Sequence, residues 1–200
     1  MEAFYFGSSS NQLLGAYHPS QGASRREGIV LCNPFGQEYM RAHRSFRRLA
    51  INLAAKGFSV LRFDYRGTGD SAGTLQGVTA KDWMEDIESA IQELMDVAAV
   101  QKVSLLGLRV GALLAAEVAA KNKSVNKLVL WDPIVSGQAY VDEIVAEIAV
   151  KESRSRFVAQ DGSLQFNGFS MPALFKESLD RKSTRLNSSH SDRSRMPSSA

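Results

Sequence analysis

Five residues near the middle of the chain have the types and spacing of a turn that presents one side chain for chemistry. Gly107-Leu108-Arg109-Val110-Gly111 lies between a predicted strand, Lys102–Leu106, and a predicted helix, Val110–Lys121. The two glycines permit a strained strand-to-helix turn, which raises the middle residue above the sheet and points the N–H of Val110 toward a bound oxyanion. In acyl transfer the raised residue is the nucleophile. Here it is Arg109, which has no usable lone pair and stays protonated, so it cannot attack a carbonyl.

Three further segments follow predicted strands, and parallel strands bring such segments to one edge of a sheet. Asn33-Pro34-Phe35-Gly36 follows an early strand, and the N–H of Phe35 would be a second oxyanion donor. Trp131-Asp132-Pro133 ends the last clear strand. There Asp132 is a candidate triad acid or, alternatively, a residue that only hydrogen-bonds backbone in the Asp-Pro turn. The run from Asp64 to Ser71, D-x-R-G-x-G-x-S, is interpreted as structural, with glycines that turn the chain and polar side chains that fix the loop.

Arg109 has two interpretations that the sequence leaves open. A guanidinium raised over two backbone N–H groups would bind an anion such as a carboxylate, a phosphate or an acidic sugar. Alternatively, Arg109 pairs with Glu38 or Asp132 and closes the pocket. Glu38 follows the loop that contains Asn33, and it fits a partner of Arg109 and a solvated loop acid equally well. The candidate ligand-binding residues are therefore Arg109, Glu38 and Asn33.

A base for acyl transfer is missing from the recognisable part of the chain. His18 falls in a predicted N-terminal hairpin, and His43 falls at the start of a predicted helix, where a surface role is favoured over an approach to the pocket. His190 lies in a serine-rich tail and is not considered catalytic. Cys32, the only cysteine, sits in an apolar strand and is interpreted as a core residue rather than a thiol nucleophile. A single cysteine excludes an intrachain disulfide and a multi-cysteine metal site.

Strands and helices alternate along residues 1–180. The predicted strands are Ala3–Phe6, Leu13–His18, Gly28–Cys32, Ser59–Tyr65, Lys102–Leu106 and Lys127–Trp131, and the predicted helices are His43–Lys56, Ala80–Ala98, Val110–Lys121 and Tyr140–Glu152. A second hairpin is expected within Phe157–Phe169, around Asp161-Gly162. Continuous apolar strands that alternate with helices predict an α/β fold, with a mainly parallel sheet and helices on both faces.

Composition divides the chain into three parts. Residues 1–136 are predicted to form the sheet-containing core, and residues 137–180 the start of a lid or insert. Residues 181–200 hold seven serines and five basic residues against one acidic residue, and they are similar to a disordered tail or to translated adapter sequence. This tail accounts for the basic balance, because residues 1–180 alone have a formal charge of −1 against +3 for the whole chain. The net charge therefore predicts no nucleic-acid partner.

Several classes of function receive no support from the sequence. No apolar run approaches the ~20 residues of a membrane-spanning helix, and the first ten residues lack the pattern of a secretory signal. A cytoplasmic location is predicted. The glycine loops match neither the phosphate-binding G-x-x-x-x-G-K-[ST] pattern nor a full dinucleotide fingerprint, so no metal, nucleotide or redox cofactor is implied. The expected partner is a small acyl or anionic molecule.

The four segments, in their order and spacing, resemble the α/β-hydrolase superfamily in the region of the serine-aminopeptidase-like hydrolases, over roughly Phe4–Leu179. Three segments are similar to one branch of this superfamily, the second hydrolase associated with bacterial exosortase A systems. They are Leu31–Glu38, the elbow turn Gly107–Gly111 together with the Ala-Leu-Leu-Ala that follows it, and Gly168–Pro172. The resemblance implies an α/β-hydrolase fold whose C-terminal strands and catalytic histidine lie beyond the recognisable residues. It implies ester or amide hydrolysis of a small acyl substrate in exopolysaccharide export or protein sorting. The alternative is a non-catalytic accessory protein that holds an anionic ligand or a partner.

Overall fold

Apolar strands that alternate with helices form one central sheet in the computed structural model, which describes residues 1–151, 159 and 161–180. The elements are β1 (Glu2–Ser8), β2 (Asn11–His18), β3 (Gly28–Cys32), α1 (Gly36–Ala55), β4 (Ser59–Phe63), α2 (Ala80–Ala98), β5 (Val103–Leu108), α3 (Val110–Ala119), β6 (Val125–Trp131), α4 (Gly137–Lys151), β7 (Leu164–Phe166), β8 (Phe169–Met171) and α5 (Ala173–Asp180). The predicted fold class, α/β with a mainly parallel sheet and helices on both faces, is confirmed.

The order of the strands determines where a site can form. The six-stranded sheet has the order β1-β2-β4-β3-β5-β6, in which β3, β4, β5 and β6 are parallel and the β1–β2 hairpin joins β4 antiparallel. The chain passes from β3 to β4 on one side and then crosses to β5 on the other. The loops that follow β3 and β5 therefore meet at a topological switch point, which is where open α/β sheets bind ligands.

Helices cover both faces of the sheet because its strands are apolar on both sides. On one face, α1 packs Phe46 and Ala50 against Ile29, Leu31 and Val60. On the other face, α2 and α3 pack against β3, β4 and β5. The stripe that the sequence predicted for α2 is fully buried there; it consists of Trp83, Ile87, Ile91 and Leu94.

Helix α1 begins at Gly36 and not near His43, where the sequence placed its start. The first two turns lack the regular apolar spacing that marks the rest of the helix, so the pattern did not reveal them. Their side chains are held by other parts of the fold instead, since Glu38 accepts from an arginine and Tyr39 donates to an aspartate. The predicted cap is present at the other end, where Gly57 adopts a φ of +89°.

The second hairpin lies later in the chain than the sequence predicted. It pairs β7 with β8 around Asn167-Gly168, and the expected turn at Asp161-Gly162 precedes it. Asn167 and Gly168 have φ values of 47° and 80°, the left-handed conformations of a two-residue hairpin turn. The start of the expected range, residues 157 and 158, lies outside the described residues.

Helix α4, the β7–β8 hairpin and α5 lie over the edge of the sheet at which β3 and β5 end. Their apolar side chains, including Tyr140, Phe166, Phe175 and Leu179, belong to the same cluster as the face covered by α2. The predicted division of the chain at residue 136 stays a prediction, as does the nature of residues 181–200, which fall outside the described residues together with His190. In the described ranges no helix is long and apolar enough to cross a membrane.

Among the described residues, strand β6 lies at one end of the strand order, with β5 as its neighbour. Its side chains are more exposed than those of the other parallel strands. Val129 is 49% exposed and Trp131 is 45% exposed. Trp131 still stacks on Phe46 of α1, at 6.3 Å between ring centroids, and this contact fixes the end of β6 beside the loop that follows β5.

Candidate functional site

The chain turns sharply between β5 and α3, and Arg109 alone forms the turn. Its backbone has φ 54° and ψ −120°, a conformation that residues other than glycine rarely adopt and that costs about 1–3 kcal/mol. The Arg109 N–H donates to the carbonyl of Trp131 at 3.2 Å, and the Arg109 carbonyl accepts from Ala112 at 3.0 Å. The local backbone therefore has the geometry that the G-x-x-x-G spacing predicted.

Both glycines of the turn are required by close backbone contacts. A Cβ at Gly107 would lie 2.5 Å from the Cα of Ala112. A Cβ at Gly111 would lie 2.3 Å from the carbonyl oxygen of Cys32 and 2.4 Å from that of Asn33. Helix α3 thus begins directly against the end of β3, and a larger residue at either position would separate the two.

The side chain of Arg109 is surrounded by carboxylates from three parts of the fold. Its Nε donates to Glu38 of α1 at 2.8 Å, and its Nη2 forms a short hydrogen bond with Glu143 of α4. Asp132, after β6, lies 3.6 Å from Nη1. The Arg109 side chain is only 15% exposed as a result. Three negative charges and one positive charge meet at the tip of the elbow.

Tyr140 completes this cluster, which we call the elbow cluster: Arg109, Glu38, Asp132, Tyr140 and Glu143. The Tyr140 ring lies under the guanidinium, with 5.8 Å from Cζ to the ring centroid, and its hydroxyl donates to Glu38 at 3.0 Å. Burial, together with the charge of Glu38, raises the pKa of Tyr140 well above its usual value. Sequence reasoning missed Tyr140 and Glu143. The available signal was their spacing of three residues on a predicted helix, which puts them on one face.

The elbow cluster keeps Arg109 charged. Burial by itself lowers the pKa of Arg109, but the hydrogen bonds to Glu143 and Glu38 and the charges of both carboxylates outweigh burial and raise it above the usual arginine value. No lone pair becomes available for attack at any working pH. The arrangement also favours the paired interpretation of Arg109 over the anion-binding one, because an incoming anion would meet the surrounding carboxylates.

The two predicted oxyanion donors lie at the starts of the helices that follow β3 and β5, which are neighbouring strands. Phe35 is the N-cap residue of α1, and Val110 is the first residue of α3, so its N–H has no intrahelical carbonyl to bind. The contact of Gly111 with the end of β3 holds the two segments together. The ring of Phe35 is buried under α5, where it stacks on Phe175 at 5.7 Å between ring centroids.

Asn33 is not brought to Arg109. Its amide Nδ2 donates to the carbonyl of Phe63 at 2.6 Å, which ties the end of β3 to the end of β4. Asn33 lines a different cavity from Arg109, and His43 lines that same separate cavity from the exposed side of α1. The candidate ligand residues therefore separate, with Arg109 and Glu38 in the elbow cluster and Asn33 outside it.

The loop from Asp64 to Ser71 is fixed by its polar side chains. The Ser71 hydroxyl donates to the carbonyl of Asp64 at 2.6 Å and accepts from the Leu14 N–H at 2.8 Å. Arg66 binds Asp86, which is fully buried, through Nε at 2.8 Å and Nη2 at 2.7 Å. The contacts of Ser71 with Leu14 and of Arg66 with Asp86 anchor the loop to β2 and α2.

Within the part of the chain that the structure describes, no three His, Cys, Asp or Glu side chains are grouped to hold a metal ion. Cys32 is fully buried, and burial raises the pKa of its thiol to about 12, so its thiol stays protonated near neutral pH. Among the described residues, Arg109 contacts neither Cys32 nor a histidine, and its partners are the other members of the elbow cluster.

Sheet order, switch-point loops and a strained elbow after β5 define an α/β-hydrolase fold. Solved structures share it, among them an α/β serine hydrolase homologue from Coxiella burnetii (22% identity, 64% of this chain and 61% of that chain, TM-score 0.55). A lidless α/β serine hydrolase from Xanthomonas campestris (20%, 60% and 55%, TM-score 0.52) and the mouse α/β-hydrolase domain-containing protein 10 (19%, 90% and 69%, TM-score 0.57) are further examples.

The chain belongs to the serine aminopeptidase (S33) family, whose model matches residues 23–178. It is also similar to the esterase EstD of Thermotoga maritima, with 26% identity over 127 residues. That alignment includes 62% of this chain but only 31% of the esterase. The chain therefore spans about a third of the length of this curated relative.

Proposed function

We propose that this chain is an α/β-hydrolase-family protein that binds a small acyl ligand and does not cleave it through its elbow. Its family supports descent from ester or amide hydrolases. The similarity of Leu31–Glu38 and Gly168–Pro172 to one branch supports a role in a bacterial exosortase-associated exopolysaccharide system. The observation that carries the proposal is the ion pairing of Arg109 at the position where this fold presents a nucleophile.

The elbow cluster gives Arg109 a structural task in place of a chemical one. One guanidinium joins α1, through Glu38, to α4, through Glu143. Ion pairs that share a guanidinium and are shielded from water on one side hold a fixed geometry better than isolated surface pairs. Helix α4 is thereby fastened over the end of β5, where a substrate carbonyl would have to approach.

An apolar cavity beside the oxyanion loop supports an acyl ligand over an anionic one. The cavity has a volume of about 270 Å³. Its lining shares an apolar or aromatic character and includes Phe35, Tyr39, Leu75, Trp83 and Phe169. Hydrocarbon chains gain free energy from burial against such walls, at roughly 25 cal/mol per Å². The elbow cluster, by contrast, already contains an excess of negative charge.

Binding is tested with the fluorescence of Trp83, which lines the cavity. The chain has two tryptophans, so a Trp131→Phe background leaves Trp83 as the only emitter. Titration with methyl butyrate should change its emission with a saturable dependence. Leu75→Phe, which narrows the cavity, should weaken binding at least tenfold, whereas Leu174→Phe, at an exposed position of α5, should not. An emission that does not respond, or equal binding by both variants, contradicts the proposal.

Retained hydrolysis is the second candidate function, and the elbow backbone favours it, because the strained φ of Arg109 and the positions of Phe35 and Val110 suit acyl transfer. Hydrolysis of p-nitrophenyl butyrate by the unaltered chain, Arg109→Ser and Arg109→Ala separates the two functions. We expect all three to match buffer. A rate at least tenfold higher for Arg109→Ser than for Arg109→Ala would establish a surviving base and favour the hydrolase. Activity of the unaltered chain that Arg109→Ala abolishes would overturn the proposed role of Arg109.

A further inference from the structure

Arg62 of β4 is a buried cation without a carboxylate partner in the described part of the chain. The residue is only 9% exposed. Its Nε donates to Nε2 of His18 at 3.4 Å, and its Nη2 contacts the sulfur of Met1 at 3.7 Å. Buried arginines are normally paired with carboxylates, because removing an uncompensated charge from water is costly. An imidazole and a thioether are weak compensation for a guanidinium.

His18 cannot neutralise Arg62. Burial and then the charge of Arg62 lower the pKa of His18 to about 4, so the imidazole is neutral at neutral pH and only accepts a hydrogen bond. Burial also lowers the pKa of Arg62 itself, which is the expected direction for a buried cation with too little compensation. Nη1 and one N–H of Nη2 have no hydrogen-bond acceptor among the described residues.

These free N–H groups belong to a side chain that lines a cavity of about 220 Å³ between α1 and strands β2 and β4. Its remaining lining is mixed in character and includes Met1, Tyr39, His43, Asp64 and Asp70. The volume suits a ligand of only a few heavy atoms. The cavity does not include Arg109 or any other member of the elbow cluster.

We propose that this cavity binds a small oxyanion, a carboxylate or a phosphate, through the guanidinium of Arg62. A guanidinium fork offers two parallel N–H groups that match the two oxygens of such an anion. The imidazole of His43 lies at the same cavity as a second hydrogen-bonding group. The site shares Tyr39 as a wall with the proposed acyl cavity, but its cation, Arg62, does not line that cavity, so the proposal does not depend on acyl binding.

The acidic residues of the lining do not occupy Arg62. The carboxylate of Asp64 accepts from the Tyr39 hydroxyl at 2.7 Å through Oδ1 and from the Asp70 N–H at 3.3 Å through Oδ2. It forms no ion pair with Arg62 in the described residues, although its charge is near enough to act on the pKa of Arg62. An anion would therefore bind on the side of Arg62 that is remote from Asp64. Repulsion from the Asp64 carboxylate also favours an anion with a single negative charge.

The exposed face of α1 would draw anions toward this cavity. It carries Arg41, Arg44, Arg47 and Arg48, all exposed and, within the described ranges, without an ion pair. Arg47 is near enough to affect the pKa values of both His18 and Arg62. A cluster of like charges beside a cleft raises the local concentration of the opposite ion.

The test is calorimetric titration with sodium acetate and, separately, with inorganic phosphate, at constant ionic strength with sodium chloride as the reference. The unaltered chain should bind at least one of the two anions more tightly than chloride, and the two titrations distinguish a carboxylate site from a phosphate site. Arg62→Met should lower that affinity at least tenfold. Arg62→Lys, which keeps the charge and loses the fork, should bind with intermediate affinity. Lys81→Gln, which removes an exposed cation of α2 on the opposite face of the sheet, should bind within about twofold of the unaltered chain.

Melting temperatures without added anion provide an independent reading. Arg62→Met should melt at or above the temperature of the unaltered chain, because it removes a buried charge that forms no ion pair in the described residues. Saturating acetate or phosphate should raise the melting temperature of the unaltered chain and not that of Arg62→Met. Binding that is no tighter than chloride, or an equal rise in both proteins, overturns the proposal.

Discussion

Arg109 and Arg62 lie on two sides of the loop that follows β3, and they differ in how the fold compensates their charge. Arg109 is the more exposed of the two, yet it meets Glu38, Asp132 and Glu143. Arg62 is more deeply buried and meets a neutral imidazole and a sulfur. The comparison teaches that the partners of a cation, and not its burial, indicate whether its charge is already used by the fold or remains available to a ligand.

The sequence motifs alone indicate a different order of importance for these two arginines. The sequence drew attention to Arg109 because it occupies the raised position of the elbow, whereas Arg62 sits inside an apolar strand and belongs to no motif. For ligand binding, the contacts of the two side chains favour Arg62, because Arg109 is already paired with carboxylates. The elbow position retains its backbone geometry while its side chain is committed to the covering helix α4.

Gly107→Ala should have the largest effect, because it breaks the elbow and leaves the lining of the Arg62 cavity untouched. The new Cβ would lie 2.5 Å from the backbone of Ala112, so β5 and α3 must move apart. We expect a loss of about 3 kcal/mol of unfolding free energy, measured by urea denaturation. Gly73→Ala is the control, since a Cβ there meets nothing within 4 Å; its positive φ should cost about 1 kcal/mol. Equal losses in the two variants would show that the close contact is not what holds the elbow.

Arg109→Met should have the next largest effect and the sign opposite to that expected for Arg62→Met. Removal of the guanidinium leaves the carboxylates of Glu38 and Glu143 close together and one of them hydrogen-bonded only to Tyr140. We expect a loss of about 2 kcal/mol, reduced from the value for a fully buried pair because Glu143 is largely exposed. Urea denaturation of both methionine variants beside the unaltered chain measures the difference. The comparison fails if the two substitutions shift the midpoint in the same direction by the same amount.

A smaller effect is expected from the titration of His18 beside Arg62. Its pKa in the folded chain is lowered to about 4 from a usual value near 6.5, so the unfolded chain binds the proton first as the pH falls. The stability that depends on neutral His18 is therefore complete above about pH 6.5 and is lost progressively between about pH 6.5 and 4. The full shift would correspond to roughly 3 kcal/mol, and we expect about 1 kcal/mol because solvent screens part of the interaction. Unfolding free energies measured at steps across that interval should fall less steeply for His18→Gln than for the unaltered chain, and parallel curves would rule out the lowered pKa.

The sequence was sufficient for the parts of the fold that depend on local pattern. Helix α2 has the predicted bounds because the stripe from Trp83 to Leu94 recurs at helical spacing and Thr79 caps the first turn. The elbow was predictable from its two glycines, whose small size the contacts with Ala112 and Cys32 require. Features of this kind can be predicted because they depend only on residues that are close in sequence or recur at a fixed spacing.

The features that the sequence did not reveal depend on contacts between distant residues. The first two turns of α1 are held through Glu38 and Tyr39 by residues far along the chain. The covering hairpin could have formed at either of two x-Gly turns. The buried positions of Leu164 and Met171 fit the later turn, Asn167-Gly168. The lack of an ion pair for Arg62 in the described residues is likewise a property of packing, which no motif records.

The position of β6 at the end of the strand order leaves one side of its backbone without a strand partner in the described part of the chain. Backbone N–H and C=O groups at such a position can pair with a further strand, and Val129 and Trp131 supply apolar side chains beside them. A strand that joined β6 would extend the sheet beyond β5-β6 and would cover these two side chains.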